Sequence, residues 1–500
     1  MIFNPGLRVG MSAALVAGSL VMIACQPSRA QGKDSVTICQ TLEPTILDPT
    51  AGAAAAIREV THGNIFEGLV ALDRTSKITP ALAESWDVSA DGLKYRFKLR
   101  KNAAFHDGTP VTSADVKFSF ERALAPDSKN AQKWIFEPIG GMSTPTPDEI
   151  NITLKTFAAD FLDGLTWGDA VIFSEKSVAK AATDPVGTGP YKFVRWNRGD
   201  RLTLERNDLW WGGKAEIKAA TFRFIADPQA QVSALLAGDC DANTNLGAQE
   251  AVPQLMSNPG LKVTVGRTEG ETIVAMNNAK APLNDIRVRK AIAMAIDRQL
   301  VNEGAVSGLG TPIGSHFSPN HPAYLDLTGA VRFEPARAKA LLAEAGFPNG
   351  LTLSLRLPPP AYARRGGEIV AAMLKDIGIT ATIEPLEWPQ WLERVFRTKD
   401  FDLTIVSHVE PMDLNIYARD NYYFGYTSAA FREAFKATKQ ARTEAERKAA
   451  FEVVQRQIAE DQVNVFLFML PKVTVVKKGL SGMWENWPLP SNPIAQLTWQ

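Results

Sequence analysis

Five hundred residues, at about 150 per domain, suggest roughly three structural units and a chain long enough to bury a large core. Fifty-four Lys and Arg balance fifty-four Asp and Glu, which excludes a general polyanion grip, and a 45% hydrophobic content excludes a charged, disordered chain. Three cysteines and five scattered histidines, with no HExxH, exclude a disulfide scaffold and the familiar metal-hydrolase pattern.

The chain starts with an address. Arg8 is the only charge before an apolar, small-residue run over 9–24, which is short for a membrane span of roughly 20 residues. This pattern reads as an export signal over 1–30. Two processing sites compete: Ser28-Arg29-Ala30 before Gln31 would release the product, and Met22-Ile23-Ala24-Cys25 would leave it lipid-anchored at Cys25. Residues 36–42 read as a strand and 51–63 as a helix. Trp86-Asp87-Val88 and 94–99 alternate around Asp91-Gly92, which predicts a hairpin over 85–100. Thr112 or Ser113 caps a helix carrying Val116, Phe118, Phe120 and Leu124. Gly187-Thr188-Gly189-Pro190 leads into strands over 191–196, 202–206 and 217–225, then a helix over 228–237 stopped by Gly238. That strand–helix–strand passage argues for an α/β core.

A second core starts near residue 270. Its expected elements are a strand over 272–277, one amphipathic helix over 285–301, a helix over 334–345 and a strand over 351–357. A helix over 368–377 follows, then strands over 379–384 and 401–406, a helix over 444–460 capped by Thr443, and strands over 463–470 and 473–476. Pro358-Pro359-Pro360 reads as a rigid turn. Cys39 and Cys240 both lie in strand-like stretches. Two buried free thiols are the preferred reading and a bridge between them the alternative.

Eight landmarks stand in order along the chain: Leu47-Asp48-Pro49 with Glu67-Gly68-Leu69; Ala83-Glu84-Ser85-Trp86; Phe105-His106-Asp107-Gly108-Thr109-Pro110; Gly187-Thr188-Gly189-Pro190-Tyr191; Trp210-Trp211-Gly212-Gly213; Arg287-Val288-Arg289-Lys290; Ala295-Ile296-Asp297; and Ala338-Lys339-Ala340-Leu341-Leu342 with Ala345-Gly346. Together they resemble the bacterial extracellular solute-binding proteins of family 5, the peptide, nickel and opine group that serves ABC importers. The resemblance implies an α/β, two-lobed periplasmic-binding-protein fold (type II, the large cluster C form) with mixed sheets and an extra subdomain. It implies lobe one over 31–270 with the subdomain at about 50–185, lobe two over 271–470, and a return over 471–500. It also implies a monomer without catalysis or cofactor, located in the periplasm. Its partners would be a peptide or small solute and the permease subunits at the inner membrane, with no nucleic acid. The landmarks themselves read as scaffold: Gly187 and Gly189 as turn geometry, His106-Asp107 as a turn, Trp210-Trp211 as a structural element.

The resemblance places the solute against the loop from Ser407 through His408, Glu410 and Asp413 to Tyr417, Arg419, Tyr422 and Tyr423. Polar anchors with aromatic walls are the usual makeup of a solute pocket. Peptide binders of the family carry a Gly-Asp here that holds the ammonium. This chain lacks it, leaving Glu410 or Asp413 as substitutes. Trp388 is a candidate stacking wall, Trp391 a helix-packing residue, and Glu43 and Asn277 further candidate contacts. A nickel chelate would lean on His408. Alternatives of another class are an exported hydrolase using Glu410 and Asp413 as paired carboxylates, or a sensor or chaperone on the same fold. No GxSxG elbow accompanies the carboxylates.

Overall fold

The computed structural model describes residues 33–410 and 413–500; the expected export signal, Cys25 and Pro411-Met412 lie outside the described residues. An eleven-stranded mixed sheet runs through residues 34–500, which pack as one unit. Ser35–Gln40 lies parallel to both Ala219–Phe224 and Ala242–Asn243. The helix Pro228–Ala237 makes the crossover between those two neighbours, as parallel pairing requires. Asp227 caps this helix, and Gly238, at φ +83°, ends it. Arg201–Arg206 and Tyr191–Asn197 extend this half antiparallel. In the other half Leu351–Leu357 is parallel to Ile379–Pro385 and Leu403–His408, with the helix Ala361–Asp376 as crossover.

Two long antiparallel strands, Leu261–Met276 and Asn464–Lys477, join the halves. Their register breaks between Arg267 and Glu271. Before the break, Val475 and Val476 pair with Asn243 and Ala242; after it, residues from Glu271 to Met276 pair with those from Leu403 to His408. Each half is covered on both faces. Helices Ile286–Met294, Arg298–Val306, Pro335–Glu344 and Ala361–Asp376 bury Val288, Ile292, Leu342, Val370 and Leu374 against one face. Aromatic side chains, among them Phe317, Trp391, Tyr417, Tyr423 and Phe431, fill the opposite face.

A separate four-stranded sheet, Ala83–Val88, Lys94–Leu99, Glu149–Leu154 and Ile139–Thr146, packs the helix Ser113–Leu124. The expected hairpin is observed, with Gly92 at φ +73° in its turn and Tyr95, Phe97 and Leu99 facing inward. Burying such side chains contributes about 1.5–3 kcal/mol each. Thr112 and Asp115 form a capping box on the helix.

Four expectations are corrected. Cys39 and Cys240 are joined, Cα–Cα 5.7 Å, rather than separate thiols, because the strand that carries Cys39 runs beside Ala242–Asn243, which starts just after Cys240 and Asp241. The helix expected over 285–301 is two helices: Asp297 accepts from the amides of Gln299 and Leu300, starting the second one, and Leu300 is exposed. The strands expected over 463–470 and 473–476 are one, continuing through Pro471. The strand expected over 272–277 extends back to Leu261. The helix Ala429–Gln440 and the strands Ile139–Thr146 and Glu149–Leu154 were not expected.

Candidate functional site

The scaffold landmarks meet around one carboxylate. Glu67 accepts from Thr188 Oγ1 (3.0 Å), Trp210 Nε1 (3.1 Å) and Trp211 Nε1 (3.0 Å). Burial pushes its pKa up to about 7, against the lowering effect of those donors. Gly187 and Gly189 approach the backbone so closely that added Cβ atoms would lie 1.9 Å from the Ile65 carbonyl oxygen and 2.2 Å from that of Asn64. His106 bonds the Gly189 carbonyl (3.0 Å), and its Nδ1 accepts from Gly187 N (3.3 Å). This region is turn and tether.

The cleft lies between the two halves of the sheet. One wall is the end of Ser35–Gln40 with Thr41 and Leu42, the start of the helix Ala55–Thr61, and Asn245 to Gly247 with Gln249; the other is Tyr362, Trp388, Trp391, Ser407 to Glu410, Asp413, Arg419, Tyr422 and Tyr423. Arg419 spans the gap. Its guanidinium donates to Ala131 O (3.1 Å) and Gln132 Oε1 (3.0 Å), and to Asn415 Oδ1 (2.6 Å) on its own side. Arg58, held by Asp169 at 2.6 and 2.8 Å, comes within 3.9 Å of Glu410.

Five of the expected site residues come together here. Trp388 lines the cleft and meets Trp391 edge-on, ring centres 5.4 Å apart; Trp391 is itself tied to Thr404 Oγ1 (3.0 Å). His408 sits between Tyr423 OH (3.1 Å) and Asp413 Oδ2 (3.3 Å). Asp413 also meets His316 Nε2 at 2.6 Å. Burial would raise its carboxyl pKa, but the two imidazoles win and hold it well below the usual range. Glu410 is pushed up by burial, with Arg58 opposing and Asp413 adding to the rise. Burial likewise raises the Tyr423 phenol.

The other three expected residues lie outside the cleft lining. Glu43 accepts from Trp196 Nε1 (2.8 Å) and Gly199 N (3.0 Å), away from the cleft lining. Asn277 donates to Lys399 O (3.1 Å) and Phe401 O (3.2 Å). Tyr417 is buried among Phe424, Phe431 and His316 and accepts from Asn464 Nδ2 (3.1 Å). Sequence reasoning missed His316, Gln132 and Tyr362, each from its own distant segment, and Arg58 and Glu59, both from the helix Ala55–Thr61. Glu59, on the cleft wall, is raised to about 7 by burial, with Lys472 opposing. Lys472 is lowered to about 7 by burial, with Glu59 and Glu485 opposing.

Several polar atoms on residues lining the cleft are buried without a partner: the donors Trp388 Nε1 and Arg419 Nε, the acceptors Gln40 Oε1 and Gln249 Oε1, and the Ser407 hydroxyl. Each such atom costs about 1–3 kcal/mol until something bonds it. A walled chamber with unmet donors and acceptors on both sides is the property of a protein that holds a polar solute. Consistent with that class, the family model for bacterial extracellular solute-binding proteins, family 5 Middle, matches residues 77–429, and the chain belongs to this family. Heme-binding protein A of Haemophilus influenzae is 28% identical over 449 residues, covering 80% of each chain. Glutathione-binding protein GsiB of Pectobacterium atrosepticum is 29% identical over 346 residues, covering 68% of this chain and 66% of its own. The periplasmic binding protein AgaA of A. tumefaciens R10, solved with agropinic acid, superposes with a TM-score of 0.86 at 27% identity, covering 93% of this chain and 99% of its own. The type II periplasmic-binding-protein architecture expected from the sequence is the one observed.

Proposed function

We propose that the chain is the substrate-binding component of an ABC importer, capturing a short peptide or peptide-sized polar solute such as an opine in the cleft and presenting it to a membrane permease. The set of unpaired donors and acceptors on the cleft walls carries this reading. A solute with ammonium or hydroxyl donors satisfies Gln40 and Gln249, and its carboxylate or carbonyl oxygens satisfy Trp388 and Arg419. Tyr422, Tyr423 and Trp388 wall its apolar part. Relatives whose names carry glutathione and agropinic acid bind solutes of this chemistry.

The lobes in this reading are 31–270 and 271–470, with 471–500 returning to the first. The register break near Arg267 to Glu271 is the hinge. The protein works as a monomer in the periplasm, released or held by lipid at Cys25. The described residues include no helix long and apolar enough to cross a membrane.

The test is a thermal-shift and calorimetric screen of dipeptides, tripeptides and opines, with mass analysis of each compound afterwards. Expected is a raised melting temperature with at least one compound whose mass is unchanged. Steady consumption of that compound overturns the receptor reading. Glu410→Gln is expected to weaken its binding by about tenfold, the loss of one charge-assisted hydrogen bond. Unchanged affinity removes Glu410 from the pocket.

A further inference from the structure

The cleft wall holds a cluster that the solute reading does not use. His316 comes from the segment after the strand Thr311–Pro312, His408 from the end of Leu403–His408, and Asp413 from the short helix Asp413–Tyr417. One ligand atom from each lies within 4.8 Å of the others. Asp413 Oδ1 is 2.6 Å from His316 Nε2, and Asp413 Oδ2 is 3.3 Å from His408 Nδ1. His316 and Asp413 are buried, and the His408 side chain is only 10% exposed. A cation bound at about 2.0–2.2 Å by such ligands spaces them by roughly 3.4 Å, so little more than side-chain rotation admits one.

Three further observations point to a cation. His408 holds its other ring nitrogen 3.1 Å from Tyr423 OH, the outer contact that fixes the tautomer of a metal-binding imidazole. Glu271 is the cross-strand partner of His408, so its side chain leaves the same face of the sheet. Glu271 is 3% exposed, and its Oε2 is buried without a hydrogen-bond partner. Carboxyl groups also gather here: Asp413, Glu271 and Glu410 interact with one another, and Arg58, 3.9 Å from Glu410, is already committed to Asp169.

We propose that His316, His408 and Asp413 bind one divalent transition-metal cation of the zinc class, with Glu271 supplying charge beside it. Two imidazoles and a carboxylate suit zinc, cobalt or nickel better than magnesium or calcium, which favour oxygen ligands. His408 and Asp413 also line the cleft, so the free coordination position faces the solute chamber. This site stands apart from the identity of the solute, and its test uses the metal alone.

Full-length protein stripped with a chelator is titrated with zinc chloride by calorimetry and with cobalt chloride by visible absorption. Expected are one equivalent bound per chain and the intense d–d bands of a four- or five-coordinate cobalt site. His316→Ala and the near-isosteric Asp413→Asn are each expected to lower zinc affinity by about 100-fold or more, with the circular dichroism spectrum unchanged. Uptake well below one equivalent overturns the proposal. So does a cobalt spectrum like that of the hydrated ion, or binding that survives Asp413→Asn. Where His316→Ala does not fold, the cobalt spectrum of the unmutated protein still supports or overturns the site.

Discussion

Glu67 shows how one side chain can organise distant segments. Three donors from residues 121, 143 and 144 positions away converge on its carboxylate. Burial nonetheless outweighs them and lifts its folded pKa to about 7 from 4.5. The folded state therefore holds a proton on Glu67 that the unfolded state releases. The resulting stability is fully present below pH 4.5 and is lost as the pH rises through about 7. Glu67→Gln cannot titrate. Denaturant unfolding at pH 5 and pH 7.5 is expected to show a smaller loss of stability across that interval in the variant than in the unmutated protein, by on the order of 1–3 kcal/mol. Equal losses would mean that the carboxylate is already ionised at pH 5. In the sequence, Glu67, Thr188 and Trp210-Trp211 are legible as scaffold one by one. Their meeting is not, because nothing local encodes contacts over such separations. The same holds for the cleft. The 407–423 loop stands out because its polar and aromatic residues are dense, whereas His316 and Gln132 arrive singly. Glu43 and Asn277 stand outside the cleft lining because backbone and indole groups at the strand ends take the side chains that a ligand could also use.

At the scale of elements, local patterning worked where one face is solvated and failed where both are buried. Lys94–Leu99 alternates exposed and buried, so its strand and hairpin are legible. Asn464–Lys477 is buried along almost its whole length, and Pro471 in its middle reads as an end. The proline is tolerated where the register with Leu261–Met276 breaks. The helix pair at 286–306 shows the converse error: an apolar stripe continued across a cap, and Asp297 restarts the helix. The Cys39–Cys240 bond ties the strand that opens the described fold to the turn before Ala242–Asn243, across 201 residues. It constrains a long loop in the unfolded chain. Replacing both cysteines with serine is expected to cost on the order of 2–5 kcal/mol in denaturant unfolding, with reductant mimicking the effect on the unmutated protein. If reductant leaves the midpoint unchanged, the bond does not contribute in this way.

Across the whole molecule, the contacts between the halves define a closed arrangement. Arg419 reaches Ala131 and Gln132, Arg58 nears Glu410, Arg365 grips Glu250 at 2.8 and 3.0 Å, and Lys439 pairs with Asp160. The exposed Arg365–Glu250 pair is worth about 0–1 kcal/mol. The Arg419 contacts are different in kind, because a guanidinium in a partly buried cleft makes charge-assisted bonds worth about 1.5–3 kcal/mol. In the proposed reading, these few contacts favour the closed arrangement, and a solute that bonds both walls adds to them. Removing Arg419 takes away cross-cleft bonds while leaving both cores intact. Arg419→Ala is expected to keep its circular dichroism spectrum and to populate the open form more without solute, since about 1.5–3 kcal/mol shifts a two-state balance by roughly 10- to 150-fold. Small-angle scattering reads this as a larger radius of gyration than that of the unmutated protein under the same conditions. A saturating solute is expected to bring the two values together, because the open form remains able to close. If the variant and the unmutated protein scatter identically without solute, and the unmutated protein does contract on binding one, then Arg419 touches the far wall without holding it.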